Sequence, residues 1–197
     1  MGHDVIADLG GIRIRTRLPG DVLDEFHWRR DPELARLNAS APYTGSFSSF
    51  AEQQERQALY EGDTMASFAL ETKERRHIGT VLYFNVDHAD GSAEYGITIG
   101  VQSMLSSGIG TAVTIAVLRH VWTTTPLRRI QLHVLEQNAR AIRCFQKAGF
   151  EECDRVLRGE AGTLVRMDVR REWWLLWDSE GRFAPFERVA APPSDSQ

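Results

Sequence analysis

The sequence has few cysteines, no long basic run and no long apolar run. Cys144 and Cys153 are its two cysteines among 197 residues, too few for a disulfide framework and without the paired spacing of a metal site. We therefore expect two reduced thiols and no bound metal. The formal net charge of -4 and the lack of a basic cluster argue against a nucleic-acid partner.

Membrane and targeting signals are also missing. No apolar run approaches the roughly 20 residues that a membrane-spanning helix needs, and the first residues lack a basic segment followed by an apolar one. These absences predict a cytoplasmic protein without membrane association. Hydrophobic residues make up 42% and charged residues 25% of the chain, which is typical of globular proteins, and its length suits a single domain.

The first third of the chain carries one strand signal and three helix signals. Residues 12–17 alternate apolar and basic side chains, which predicts a half-exposed strand. Helices are predicted over residues 21–28, after Asp31-Pro32, and from a cap at Ser48-Ser49 to about residue 60. These helices are expected to cover one face of a sheet.

The remainder of the chain alternates between strands and helices. Apolar residues at four-residue spacing after Gly110, beginning with Val113, predict a largely buried helix. A short helix over residues 139–147 is closed by Gly149. Strands are predicted over residues 65–72, 78–86, 93–99, 129–134, 151–158 and 163–170.

A glycine-containing loop joins the strand at residues 93–99 to the buried helix. Gly108-Ile109-Gly110-Thr111 stands at the helix start, where unpaired backbone N–H groups and the helix dipole favour a pyrophosphate. Such a glycine pair also occurs in ordinary turns. A dinucleotide-binding loop would need a third glycine where Val113 stands, and a P-loop would need a lysine that is missing. A coenzyme A loop is the phosphate-binding interpretation that remains.

The second motif, residues 138–150, follows a strand directly and reads Asn-Ala-Arg-Ala-Ile-Arg-Cys-Phe-Gln-Lys-Ala-Gly-Phe. It is similar to the Asn-x-x-Ala-x-x-x-Tyr-x-Lys-x-Gly-Phe signature of the GCN5-related N-acetyltransferase (GNAT) superfamily. It resembles in particular the branch of ribosomal-protein alanine acetyltransferases (RimJ/RimL-like). The resemblance runs from about Ile12 to Trp174 and includes Phe26-His27-Trp28-Arg29 and Asp31-Pro32-Glu33.

The resemblance implies an α/β (α+β) fold with helices on both faces of a mixed, mostly antiparallel sheet. This sheet would splay between its fourth and fifth strands, residues 93–99 and 129–134, to admit the pantetheine arm. Residues 1–174 would form the acetyltransferase domain, and residues 175–197 a C-terminal extension that frays at its end.

The same resemblance implies an acetyl-CoA-dependent N-acetyltransferase in which an amine attacks the thioester directly. The acceptor would be a small-molecule amine or the N-terminal amine of a peptide or protein. Backbone groups near Ile99 and Val101 would pair with pantetheine, Asn138 would lie beside it, and Ala141 and Phe145 would flank the thioester. The loop around the pyrophosphate would comprise Leu105, Ser106, Ser107, Gly108, Ile109, Gly110 and Thr111.

The chain departs from the family pattern at two places. Leu105 stands where the loop usually carries Arg or Gln, and Ser106-Ser107 replace a common Gly-Lys, so phosphate binding would depend mainly on backbone donors. Phe145 replaces the tyrosine that is proposed to protonate the departing thiolate. At pH 7 a thiol of pKa about 8.5 costs only ~2 kcal/mol to expel as thiolate, which water or the region of Asn138 could offset.

The catalytic assignments are Glu94 and Asn138. Deprotonation at pH 7 costs ~4.6 kcal/mol for a lysine-like amine and ~1.4 kcal/mol for an α-amine of pKa near 8. The family suggests that a carboxylate such as Glu94 takes the proton through water, although Glu94 could also simply face solvent. His133 is assigned to the polar face of its strand, and Cys144 is interpreted as a packed thiol.

Two alternatives remain open from the sequence. The departures at Leu105 and Phe145 leave room for an acyl-CoA-binding regulatory or interaction module that has lost catalysis. The apolar stretch Trp173-Trp174-Leu175-Leu176-Trp177 either extends the core or forms an interface between two copies, and a homodimer is predicted from it.

Overall fold

The computed structural model describes residues 4–159 and 162–189. Eight strands and six helices occur in this part of the chain. The strands are β1 (Val5–Asp8), β2 (Ile12–Thr16), β3 (Ala66–Thr72), β4 (His77–Asp87), β5 (Ser92–Ile99), β6 (Arg129–Leu135), β7 (Glu151–Leu157) and β8 (Thr163–Arg170). The helices are α1 (Asp21–Arg30), α2 (Pro32–Leu37), α3 (Phe47–Ala58), α4 (Ile109–Thr124), α5 (Ala139–Lys147) and α6 (Arg171–Ser179).

The strands form one sheet in the order β1-β2-β3-β4-β5-β6-β8-β7. The pair β5–β6 is parallel, whereas every other neighbouring pair is antiparallel. Pairing of β5 with β6 ends at Glu94 and Gln131, although the two strands continue to Ile99 and Leu135. The sheet therefore splays where it was predicted to, and these strands are the fifth and sixth because β1 precedes them.

Helices cover both faces of the sheet. On one face, Thr80 of β4 donates a hydrogen bond to Glu25 of α1. On the same face, the side-chain amide nitrogen of Asn38, directly after α2, lies 3.5 Å from the hydroxyl oxygen of Thr98 in β5. On the other face, the Tyr95 hydroxyl of β5 lies 3.0 Å from the hydroxyl of Thr114 in α4. This arrangement confirms the predicted mixed α/β architecture.

Helix α4 is the central buried element. Val113, Val117 and Val121 are buried as their four-residue spacing predicted, and most of the remaining helix is buried as well. Gly110 lets α5 approach this helix closely, because a Cβ at this position would lie 3.0 Å from the Cys144 Sγ. The packing of α4 against α5 fixes one wall of the opening between β5 and β6.

Two local predictions needed correction. Strand β1 was not predicted, because its four residues carry little pattern and pair with β2 only through tertiary structure. The cap of α3 is Ser46, whose Oγ accepts a hydrogen bond from the Ser49 backbone N–H at 3.2 Å. Ser48-Ser49, the predicted cap, lies within the helix.

The chain after β8 packs onto the same core. Trp174 of α6 is completely buried, donates from Nε1 to the carbonyl of Ala148 at 2.9 Å and stacks on Phe183 at 4.8 Å. The backbone N–H of Val189 donates to the Leu9 carbonyl at 2.8 Å. The terminus that was predicted to fray lies outside the described residues.

The apolar stretch in α6 is divided between core and surface. Trp174 belongs to the core, whereas Trp173 is 53% and Leu176 is 46% exposed. Trp174 therefore agrees with the alternative that this stretch extends the core, whereas Trp173 and Leu176 do not. The 100° rotation per helical residue separates Trp173 from Trp174.

A buried ion cluster fastens α1 to the sheet. Arg15 of β2 donates two hydrogen bonds to Asp21 of α1, at 2.7 and 2.9 Å, and a third to Glu71 of β3 at 2.9 Å. Burial raises the pKa of Asp21, but the bonds from Arg15 and from the Leu18 backbone N–H outweigh burial and hold that pKa below its ordinary value. Asp21 is therefore ionised and paired.

None of the helices in the described ranges is both long and apolar enough to cross a membrane.

Candidate active site

A cleft opens where β5 and β6 separate. Its volume is about 520 Å³, and it extends from the loop before α4 and the face of α5 to the segment after α2. Beyond Glu94 and Gln131 the facing backbone edges of the two strands are not paired with each other. A linear ligand could therefore pass between the strands and bond to their free N–H and C=O groups.

Most of the predicted site residues line this cleft. They are Glu94, Ile99, Leu105, Ser106, Gly108, Gly110, Thr111, Asn138, Ala141 and Phe145. Val101, Ser107 and Ile109 do not. Ile109 lies in the core, and Ser107 donates its hydroxyl proton to the Met104 carbonyl at 2.6 Å, so neither side chain is directed at a ligand.

The loop before α4 presents backbone donors to the cleft. Ser106 and Gly108 both have left-handed backbones, with φ of 66° and 86°, and no side chain caps the helix. The backbone N–H groups of the first turn, at Ile109, Gly110 and Thr111, have no acceptor within the helix. In the part of the chain that the structure describes, this helix end therefore carries the positive pole of the helix dipole without an acidic residue in its first turn.

Helix α5 adds cations that the sequence analysis missed. Arg140, Arg143 and Lys147 all line the cleft, because their i, i+3, i+7 spacing places them on one helical face. Within the described residues, neither arginine has a hydrogen-bond or ion-pair partner, and the Lys147 ammonium lies 6.0 Å from the Phe186 ring. The expectation that phosphate binding depends mainly on backbone donors overlooked this spacing.

Asn138 caps α5. Its Oδ1 accepts a hydrogen bond from the Ala141 backbone N–H at 3.2 Å, which satisfies one of the free donors of the helix start. The residue also borders the cleft, so its side-chain NH2 group remains available to a ligand. Its capping bond provides a structural reason for Asn at this position.

The aromatic side chains by the cleft offer no acid. Phe145 is buried and packs edge-on against Tyr95 and Phe150, at ring distances of 6.2 and 5.9 Å. The Tyr95 hydroxyl is bonded to Thr114, and burial raises its pKa far above the ordinary value. Tyr95 therefore does not replace the tyrosine that the motif lacks at Phe145.

Cys144 also borders the cleft, but its environment keeps it a thiol. Burial raises its pKa more than the hydrogen bond from Thr111 and the charges of Lys147 and Arg140 lower it. Its Sγ lies 3.5 Å from the Thr111 hydroxyl. The prediction of a packed thiol agrees with this placement.

Glu94 and His133 lie together on the α2 side of the cleft. The Glu94 Oε2 and the His133 Nδ1 are 3.7 Å apart, and the two side chains are 26% and 27% exposed. Asn85 of β4 donates its Nδ2 proton to the Glu94 Oε1 at 3.1 Å. Both Glu94 and His133 line the cleft, so Glu94 does not simply face solvent.

No group of three or more His, Cys, Asp or Glu side chains suited to a metal ion occurs within residues 4–159 and 162–189.

Comparisons with known proteins agree with this arrangement. The sequence profile of the acetyltransferase (GNAT) domain matches residues 12–151. Human alpha/beta-tubulin-N-acetyltransferase 9 is 27% identical over 184 residues, which cover 87% of this chain and 88% of the relative.

Solved structures share the fold. Spermidine N-acetyltransferase from Vibrio cholerae, in complex with CoA and spermine, superposes with a TM-score of 0.76 at 20% identity, over 84% of this chain and 98% of that chain. A chimeric form of that enzyme superposes with a TM-score of 0.72 at 20% identity, over 84% and 99% of the two chains.

Proposed function

The chain belongs to the acetyltransferase (GNAT) domain family and is an N-acetyltransferase, and on this premise we propose that it transfers the acetyl group of acetyl-CoA to an amine by direct attack. No acyl-enzyme intermediate is needed. The observation that carries this proposal is the cleft at the splay between β5 and β6. It joins the loop before α4 and the face of α5 to a side that carries Glu94 and His133.

The residues around the cleft fit acetyl-CoA. The pyrophosphate would bind the free N–H groups at the start of α4, with Arg140 and Arg143 supplying the charge that Leu105 does not. The unpaired edges of β5 and β6 would bond to the amide groups of the pantetheine arm. Asn138 and Ala141 would then lie beside the end of that arm that carries the thioester.

We propose that the acceptor is an amine that loses its proton readily, either a small-molecule amine or the N-terminal amine of a peptide or protein. An α-amine of pKa near 8 costs ~1.4 kcal/mol to deprotonate at pH 7, against ~4.6 kcal/mol for a lysine side chain. According to their names, the Vibrio cholerae enzyme acts on a small molecule, spermidine, and the human relative acts on a protein, tubulin.

The departing thiolate needs only modest help. Expelling a thiolate of pKa about 8.5 at pH 7 costs ~2 kcal/mol relative to the thiol. Water in the cleft or the amide of Asn138 could offset that cost, so Phe145 does not by itself exclude catalysis. A module that binds acyl-CoA without transferring the acyl group is the second candidate, favoured by Leu105 and Phe145 alone.

The deciding experiment follows CoA release. The protein is incubated with acetyl-CoA and, separately, with N-terminal peptides, polyamines, aminoglycosides and amino acids, and each acetylated product is identified by mass spectrometry. Release of CoA in step with product formation supports the proposed transferase. Tight binding of acetyl-CoA by calorimetry with no product from any amine would instead favour the binding module.

A further inference from the structure

The pairing of β5 with β6 brings two titratable side chains together. Glu94 pairs with Gln131, and His133 follows two residues later on the same face of β6. The carboxylate and the imidazole are 3.7 Å apart, an ion-pair distance that is longer than a hydrogen bond. His133 Nδ1 is the nitrogen nearer the carboxylate, which leaves Nε2 to exchange a proton with a ligand.

A bulge in β4 holds the carboxylate in place. The register of β4 with β5 shifts between Phe84 and Asp87, and Asn85 within that interval has a left-handed φ of 52°. This irregularity directs the Asn85 amide to the Glu94 Oε1. Bulges commonly re-aim side chains near functional sites, and here the result is a carboxylate with one oxygen bonded and the other near His133.

The pair occupies the side of the cleft opposite the buried aromatic residues. Glu94 and Thr98 share one face of β5, toward Asn38 after α2, whereas Tyr95 lies on the other face against α4. An acceptor that enters from the α2 side therefore meets Glu94 and His133 first. Phe84, Leu37 and Asn38 complete this side of the cleft.

We propose that His133 is a catalytic residue that takes a proton from the acceptor amine, and that Glu94 is its positioning residue; this role rests on the proposed acetyl transfer. The neutral imidazole accepts one proton from the ammonium group. The freed lone pair forms the C–N bond at the thioester carbonyl, and the C–S bond breaks with its electrons on sulfur. The second proton of the amine goes to that sulfur, and the imidazolium returns its proton to solvent.

Other charges face this pair from the neighbouring strands. Arg166 of β8 stands opposite His133 and lies 4.0 Å from Asp154 of β7, while Asp168 stands opposite Gln131. Asn38 and Asn85 are neutral. Glu94, Arg166 and Asp168 are therefore the charged groups that the strand pairing places around His133.

The test uses His133→Gln with a series of acceptors of increasing basicity, chosen from the amines that the wild type acetylates. At pH 7 the loss in kcat/KM should be about tenfold for an α-amine of pKa near 8 and on the order of 10²–10³ for an alkylamine near 10.4. A fluorinated amine that is already neutral at pH 7 should lose almost nothing. His88→Gln, at an exposed histidine outside the cleft, is the matched control and should change none of these values.

The dependence of kcat/KM on pH provides a second test of this role of His133. With an α-amine acceptor, kcat/KM of the wild type should reach its plateau at a pH below the pKa of the amine, because the neutral imidazole takes the proton from the ammonium form. In His133→Gln it should keep rising to the pKa of the amine. Glu94→Gln should lower kcat rather than raise KM, and Glu94→Gln combined with His133→Gln should be no worse than His133→Gln alone, because Glu94 acts through His133.

The outcomes separate this role from the proposed function. If the wild type acetylates no amine, the proposed transferase fails, and the role of His133 fails with it. If the wild type is active but His133→Gln loses activity equally with all three amines, or loses none, the transferase stands and His133 is not the proton acceptor. A double variant far worse than His133→Gln would likewise show that Glu94 acts without His133.

Discussion

Single residues decide how the cleft would hold a polyanion. The loop before α4 carries the apolar Leu105, yet Arg140 of α5 lines the same cleft. The hydrogen bonds from Arg36 lower the pKa of the Glu33 carboxyl, and the charge of Arg140 adds to this effect without bonding to Glu33. The Arg140 guanidinium is therefore free to bind a phosphate.

We predict that Arg140→Gln weakens CoA binding about two- to fivefold, as expected for one partly exposed charge pair. The loss should shrink at high salt, because a Debye length of about 3 Å at 1 M ionic strength screens such a pair. Calorimetry at two salt concentrations measures this effect. Arg13→Gln, a surface arginine paired with Asp8, is the control, and equal losses in the two variants would contradict the assignment.

The complementary change adds a charge to the loop. Leu105→Arg should tighten CoA binding severalfold, because a guanidinium at this position would face the same phosphates as the start of α4. Leu105→Gln keeps a polar side chain without the charge and should have a smaller effect. Unchanged CoA affinity in Leu105→Arg, measured by calorimetry on a folded protein, would place the phosphates elsewhere.

At the same scale, the sequence predicted the residues that form motifs and missed those that meet only in space. The Asn138 motif and the Gly108 loop are local, so their spacing was sufficient. His133 looked like one polar residue in an alternating strand, because the parallel pairing that brings it beside Glu94 joins residues about forty positions apart. Arg140 and Arg143 were overlooked although their helical spacing was visible.

Among the elements, α1 depends on charge more than on apolar burial. One of its links to the sheet is the cluster of Arg15, Asp21 and Glu71, all of them buried, and another is the hydrogen bond from Thr80 to Glu25. Removing one partner of a buried ion pair lowers the stability of the protein much more than forming the pair raises it, because the other charge is left without compensation. The position of α1, and of α2 which follows it on the Glu94 side of the cleft, should therefore be sensitive to this cluster.

We predict that Asp21→Asn lowers the free energy of unfolding by about 3 kcal/mol at pH 7. The pKa of Asp21 is depressed in the fold, so its contribution is complete above the unfolded value near 3.9 and is lost as pH falls through the lower, folded value. The difference in the free energy of unfolding between wild type and variant should therefore become smaller below about pH 4. Urea unfolding of both proteins at pH 7 and below pH 4 measures this difference at each pH.

Glu33→Gln breaks an exposed pair with Arg36 and serves as the control for this prediction. It should leave the unfolding midpoint unchanged at both pH values. If the difference in the free energy of unfolding between wild type and Asp21→Asn instead grows on acidification, Asp21 is not held ionised by Arg15.

At the scale of the whole molecule, α6 has a core side and an exposed side. Trp174→Ala should destabilise the monomer by about 3–5 kcal/mol, because it empties a fully buried aromatic site and leaves the Ala148 carbonyl without its donor. Such a variant therefore cannot test association. Thermal unfolding compares the stability lost in Trp174→Ala, at the buried side chain, with that lost in Trp173→Ala, at the exposed one.

The homodimer remains a prediction, and Trp173 and Leu176 are the residues that now test it. Both lie on the exposed side of α6, so replacing them with Ser should leave the monomer stable. If two copies meet through α6, the double variant should dissociate in sedimentation or light scattering at concentrations where the wild type is dimeric. A wild type that is monomeric at high micromolar concentration would refute the dimer.

The place of β8 in the sheet has a consequence for how the chain folds. Although β8 is the last strand in the sequence, it lies between β6 and β7, so β6 remains an open edge until residues 163–170 have been synthesised. Pairings of such long sequence separation form slowly. The sheet around β6, the strand that carries His133, is therefore completed late. During synthesis on the ribosome, β6 cannot pair with β8 until a segment beyond residue 151, where the match to the family profile ends, has been made.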